Sequence, residues 1–295
     1  MAGRAPLLNR HRAAASVLGL VLALVAGSWA FALSRSDGPL SGTRAPIADA
    51  KARNAAAAWI AQQIGPASVI SCDPSMCHQL LATQHRPSSR LLVLGLSLHS
   101  SPLHSAVVVA TATLRNEFGT VLESIYAPAV IASFGTGNLR VDIRVVAEHG
   151  AAAYLSALEA DRSARIASRL LLLSSSRVEV SPQIRRELTA GQVDSRLLLT
   201  IAGMAARHPV HLVAFGDAGP HADSAMPFRS ADLAVPGSQP GLSRSAYVAS
   251  MLAYLNQQHG TFRPAHVRQL RSATGQPILR IEFTAPSPLG VLARS

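Results

Sequence analysis

The residues best suited to chemistry lie in one short stretch, Gly216-Asp217-Ala218-Gly219-Pro220-His221-Ala222-Asp223. Two carboxylates and an imidazole this close could hold a metal ion or act as acid and base. The same stretch also reads as a Gly/Pro turn whose aspartates cap backbone amides. It follows the apolar run Val210 to Phe215, and loops after buried strands often carry function. With Arg229 and Asp232 downstream, the candidate binding loop comprises Asp217, His221, Asp223, Arg229 and Asp232.

Other motifs are weaker. Phe134-Gly135-Thr136-Gly137 has the glycines of a phosphate cradle, but such a cradle must lead from a strand into a helix. Here an alternating strand pattern follows, so a hairpin turn is expected. The 11 histidines are dispersed, with no H-E-x-x-H pair. Gly241-Leu242-Ser243-Arg244-Ser245 lacks the closing glycine of a nucleophile elbow, and Ser243 reads better as a helix cap. No catalytic residue, resident metal or cofactor is assigned.

These residues need elements to position them. Asp49 to Ile64 reads as a helix stopped by Gly65-Pro66. Ser68–Ser71, Leu91–Leu94, Ala106–Ala110 and Val130–Phe134 read as strands, the second a run with both faces covered. Ser75–Thr83 and Leu114–Ile125 are helical. In Leu139–Val146 the alternation of Val141, Ile143 and Val145 with Arg140, Asp142 and Arg144 predicts a half-exposed strand at or near a sheet edge. Ala151 to Leu173 reads as one bridging helix. Beyond it come a strand at Val178–Val180, a helix capped by Ser181-Pro182 and stopped by Gly191, and a helix capped by Asp194. Val210–Phe215 is a buried strand, Ser243 caps a helix running to about Gln258, and His266–Arg271 and Ile278–Phe283 pair as strands. The expected fold class is α/β plus α+β: an α/β layered domain at 48–150, a bridging helix at 151–175 and a smaller α+β domain at 176–295.

The N-terminus sets the compartment. Ala13 to Leu33 carries no charge and follows Arg4, Arg10 and Arg12. About 20 apolar residues span a bilayer, and the basic arm, 1–12, is expected to stay cytoplasmic. A cleaved signal peptide with Ala30-Phe31-Ala32 as its site is the rival reading. Either way the body lies outside the cytoplasm, beyond a flexible Ser/Gly/Pro spacer at 34–47. There Cys72 and Cys77 are expected to pair, with Pro74 favouring the turn between them.

Apolar residues make up 48% and aromatics 4%, so the core must be built from Val, Leu, Ile and Ala. Net charge is +11, with one lysine, Lys51, and 26 arginines. The arginines are scattered singly, which reads as a solvated surface. A basic extracytoplasmic body suits an anionic wall polymer, lipid headgroups or an integral membrane protein as partner, and not nucleic acid.

Several stretches resemble uncharacterised membrane-anchored proteins of actinobacteria: Ala58-Trp59-Ile60, Cys72-Asp73-Pro74-Ser75-Met76-Cys77, Val130 to Gly135, Gly191 to Leu198, Ala214 to Pro220 and Phe283 to Gly290. The first domain is also similar to extracytoplasmic domains of actinobacterial membrane glycosyltransferases, which implies envelope polysaccharide work. The second is similar to the zinc D,D-peptidase and hedgehog-type fold, through Val193–His208, Phe228-Arg229-Ser230-Ala231-Asp232-Leu233 and Leu279-Arg280-Ile281-Glu282. Of that family's metal ligands only Asp232 is matched. Ala225 stands where a histidine belongs, and Arg280 stands near the late histidine position. The resemblance implies a non-catalytic descendant, and the expected function is that of a membrane-anchored binding or accessory protein of the cell envelope. The alternatives are a metal-dependent wall-peptide hydrolase using Asp232 with His221, Asp217 or Asp223, and a partner subunit of a membrane glycosyltransferase or transporter.

Overall fold

The computed structural model describes residues 41–95, 101–216, 218–236, 238–239 and 242–292. The apolar run Ala13–Leu33, its basic arm, the start of the spacer and Asp217 lie outside the described residues. Among the described residues, no helix is long and apolar enough to cross a membrane.

The described residues form one compact unit built on two five-stranded mixed sheets. In chain order the first half has α1 (Ser41–Gln63), β1 (Ile70–Cys72), α2 (Pro74–Gln84), β2 (Leu91–Val93), β3 (Val107–Ala110), α3 (Ala112–Phe118), β4 (Ala129–Phe134) and β5 (Val141–Val145). After α4 (Ala151–Ser168) and α5 (Leu170–Leu173) come β6 (Val178–Val180), α6 (Pro182–Thr189), α7 (Ser195–Ala205), β7 (Val210–Phe215), β8 (Ser230–Ala234), β9 (Ser238–Gln239), β10 (Leu242–Ser243), α8 (Arg244–Asn256), β11 (His266–Arg271) and β12 (Pro277–Glu282).

The first sheet has the order β2-β1-β3-β5-β4, with β1 parallel to β2 and β3, and β5 antiparallel to β3 and β4. Both faces are covered. One packs on α1 and α2 through Ile60, Ile70, Met76, Leu80, Val109 and Ile143. The other packs Val108, Leu114 and Leu122 into a smaller core. The alanines of α1 let the sheet approach closely: Ala52, Ala56 and Ala57 are buried. The disulfide joins Cys72 at the end of β1 to Cys77 in α2, with Cα atoms 5.4 Å apart. Between them Asp73 caps α2, accepting Met76 N–H at 2.9 Å and the Thr111 hydroxyl.

The second sheet has the order β11-β12-β8-β7-β6; only β6 and β7 run parallel. One face packs on helices through Leu197, Ile201, Met204, Leu233, Met251 and Ile281. The opposite face is partly open, with His211 and Val213 of β7 exposed.

Local signals place most elements correctly. Ser181, Asp194 and Ser243 each cap their helix by accepting a backbone N–H two or three residues on. Several expectations need correcting. The helix expected from Asp49 starts at Ser41, so the spacer at 34–47 is helical in its last part. The single helix expected over Ala151–Leu173 breaks at Arg169 into α4 and α5. β2, read as covered on both faces, is a half-buried edge strand, and β7 is exposed at alternate residues rather than buried throughout. β5, read as a half-exposed edge, is an interior strand buried at every position. Its polar row stays inside because its charges are paired there: Asp142 accepts the Ser133 hydroxyl at 2.7 Å, and Arg144 donates to Ala127 O at 2.7 Å and to Glu123 at 3.1 Å. The arginines are also not all solvated surface, since Arg86, Arg144, Arg165, Arg196 and Arg229 are buried.

The chain after β12 joins the two halves. Ala285 bridges to Ile64 at the end of α1, its N–H donating to Gln63 O at 2.7 Å. Ser287 donates to Asp194 at 2.6 Å, and Gly290 N–H donates to Asp161 of α4 at 2.9 Å. Asp194 also holds Arg196, whose guanidinium reaches Thr284 O at 2.9 Å and stacks on Phe283.

Candidate binding cleft at the sheet junction

The loop between β7 and β8 leaves the second sheet and lies along the free edge of β4 in the first. Ser133 N–H donates to Pro220 O at 2.7 Å, and Asp223 N–H donates to Val130 O at 2.9 Å. The Asp223 carboxylate accepts Val130 N–H at 2.7 Å. The loop therefore serves as an irregular sixth strand and satisfies an edge that would otherwise be left open. A bulge in β4 between Val130 and Ala132 turns Ile131 O toward Gly219. A Cβ on Gly219 would stand 2.1 Å from that oxygen, so only glycine allows this approach.

Beneath the loop, Trp59 packs against Phe134 at a centroid distance of 6.4 Å. Arg229 lies over the Trp59 ring at 5.6 Å and donates to Ala218 O at 2.5 Å. It is thus a buried brace for the loop rather than an exposed binding group. Gly135 completes the frame. Its φ is +77°, and a Cβ there would meet both Ala52 of α1 and Leu139 O at 2.9 Å.

Between the Gly135-Thr136-Gly137 turn and the docked loop opens a cleft of about 420 Å³, lined by Ser133, Thr136, Arg140, Asp142, His221 and Asp223. The volume lies within the range usual for small-ligand sites. Asp142 is 1% exposed. Its Oδ1 takes the Ser133 hydroxyl, while Oδ2 makes no aligned hydrogen bond and meets Arg140 Nη2 at 3.0 Å as an ion pair. His221 is exposed with φ +51°, a left-handed conformation uncommon outside glycine. Under the cleft, burial and then the Asp223 and Asp161 carboxylates push the Tyr154 hydroxyl up to about 12.

The sequence-predicted residues thus separate. His221 and Asp223 share the cleft, Arg229 braces it from behind, and Asp217 is outside the described residues. Asp232 belongs elsewhere: across β8 and β12 it accepts Arg280 Nε at 2.6 Å and Nη2 at 2.7 Å. Both carboxylate oxygens of Asp232 are thereby taken up by Arg280. No group of three or more His, Cys, Asp or Glu side chains is placed to hold a metal ion among the described residues. Ser133 meets a carboxylate directly, with no imidazole between them to act as its base. The cleft offers hydrogen-bond donors and acceptors of both charges, which suits recognition of a hydroxyl-rich ligand.

Sequence reasoning missed Ser133, Thr136, Arg140 and Asp142. Gly135 and Gly137 marked the turn, but nothing local tied it to a loop some eighty residues away. Comparison with protein-family models, curated proteins and solved structures finds no match to this chain.

Proposed function

We propose that this chain is a non-catalytic binding protein of the cell envelope, its body outside the membrane and its N-terminal apolar run the tether. The junction cleft takes a saccharide segment of an envelope polymer. The observation that carries this reading is the cleft's lining: a guanidinium, two carboxylates, two hydroxyls and an imidazole around one opening. Sugar hydroxyls both donate and accept, and such a lining answers both roles. The net charge of +11 favours an anionic polymer through long-range attraction. The resemblance of the first half to domains attached to envelope glycosyltransferases supports the same ligand class.

The test uses the full chain in neutral nanodiscs, with soluble envelope oligosaccharides graded by negative charge as probes. Thr136→Ala combined with Arg140→Ala should weaken binding about tenfold or more, since each change removes a hydrogen bond to the ligand. Asp223 is unsuitable for this purpose because it also holds β4. Binding should weaken with salt for the charged probes and persist for the neutral ones. Equal binding by the double variant and the unmodified chain would sink the proposal.

A further inference from the structure

A second, larger cavity lies against the second sheet. α8 crosses the helix-covered face of the second sheet, where Tyr247, Met251 and Leu255 join the core beside Leu279 and Ile281. β11 is the edge strand next to β12, and its last four residues are exposed. Between α8 and the β11–β12 hairpin a groove of about 930 Å³ is open to solvent.

The lining of this groove has two parts. Val235, Val248, Leu252 and Ile278 supply apolar walls, and Val235, Val248 and Ile278 are less than a tenth exposed. Arg244 and Arg271 supply the charge, and no acidic residue lines the groove among the described residues. Arg244 donates to Pro236 O at 3.5 Å, and Arg271 donates to Gly275 O at 3.1 Å. Among the described residues neither guanidinium has a carboxylate partner. The carboxylates on the neighbouring strands are occupied, Asp232 by Arg280 and Glu282 by Arg268. Two uncompensated cations beside an apolar groove call for a ligand with one anionic end and one apolar end. The groove's concavity suits a single chain removed from water better than the flat surface of a bilayer.

We propose that the α8–β11 groove binds one molecule of an anionic single-chain amphiphile, its hydrocarbon chain along Val248, Leu252 and Ile278 and its anionic head at Arg244 and Arg271. This site is separate from the junction cleft and does not depend on the saccharide reading.

The test is photolabelling of the full chain in neutral phosphatidylcholine nanodiscs, with a diazirine-bearing palmitate below its micellar concentration. After digestion, saturable adducts should map to 244–252 and 269–278. Unlabelled palmitate should compete, and hexadecanol, with the same chain but no charge, about tenfold less well. Arg244→Ala with Arg271→Ala should lower labelling by a similar factor. Ala249→Trp, on the exposed face of α8, should block the chain slot with both arginines in place. The adduct map on the unmodified chain decides the matter even if a variant fails to fold. Labelling that does not saturate, or that falls outside these two segments, overturns the proposal. Equal competition by hexadecanol overturns the anionic head, and a chain that ignores monomeric palmitate but binds anionic vesicles through the same arginines has a membrane contact instead.

Discussion

Asp142 shows how a single buried charge can hold both a strand and the wall of a cleft. Its carboxylate counters Arg140 at 3.0 Å and faces Arg144 at 3.9 Å, and the residue forms part of the junction cleft's wall. Removing one partner of a buried ion pair is costly because the remaining charge stays desolvated. Asp142→Ala should therefore lower unfolding stability by about 3 kcal/mol in urea denaturation, whereas Ser133→Ala should cost about 2 kcal/mol, one hydrogen bond to a charged group. None of this was legible at residue level. An arginine or aspartate in a sequence implies exposure, and here the implication fails because each buried charge finds its partner through the fold. Arg86 is the plainest case, since it reaches Gly65 O and Ser68 O at 2.7 Å and so closes the chain leaving α1.

Elements were legible where their signals are local and illegible where they depend on neighbours in the sheet. Caps and turns are written in consecutive residues, so the helices begun by Ser181, Asp194 and Ser243 could be placed, and so could the β4–β5 and β11–β12 turns. Strand order is not written that way. The alternation in Leu139–Val146 predicted an edge, but β5 pairs on both sides and its polar row meets Ser133 and Glu123 from separate segments. β8 went unrecognised because Ser230 and Asp232 interrupt a short apolar run, although it is the central strand of the second sheet. The candidate loop was visible as a cluster of polar residues, but its role as an extra strand on β4 was not. That role rests on Gly219. Gly219→Ala would drive a Cβ into the Ile131 carbonyl, a backbone group with no rotamer to yield. It should cost about 2 kcal/mol or more. In hydrogen exchange it should also expose the Ser133 amide, while the amides of β12 keep their protection; an equally protected Ser133 amide would rule out the docking.

For the whole molecule, the junction after β12 ties the two sheets together. Burial alone would push the Asp194 carboxyl up, but hydrogen bonds and charge from Arg196, with Ser287, outweigh it and hold the group below the ordinary carboxylate range. A depressed folded-state value stabilises the fold above the unfolded value of about 3.9, and this contribution is lost as pH falls through the folded value. Asp161 runs the other way, because burial raises it more than Arg165 lowers it, so its contribution grows as pH falls. Comparison with Asp194→Asn separates the two. At pH 7 the variant should be less stable by about 3 kcal/mol, because Arg196 is left without its counter-charge. Below about pH 4 the gap should narrow; a gap that stays constant down to pH 3 would show that Asp194 does not titrate in this way. The segment Phe283 to Gly290 also follows in the chain every residue it holds, from Gln63 to Arg229. Until this segment docks, Asp161, Asp194 and Arg196 are each short of a partner, so protease resistance of the preceding elements should rise only with its docking, and the segment acts as a clasp on what precedes it.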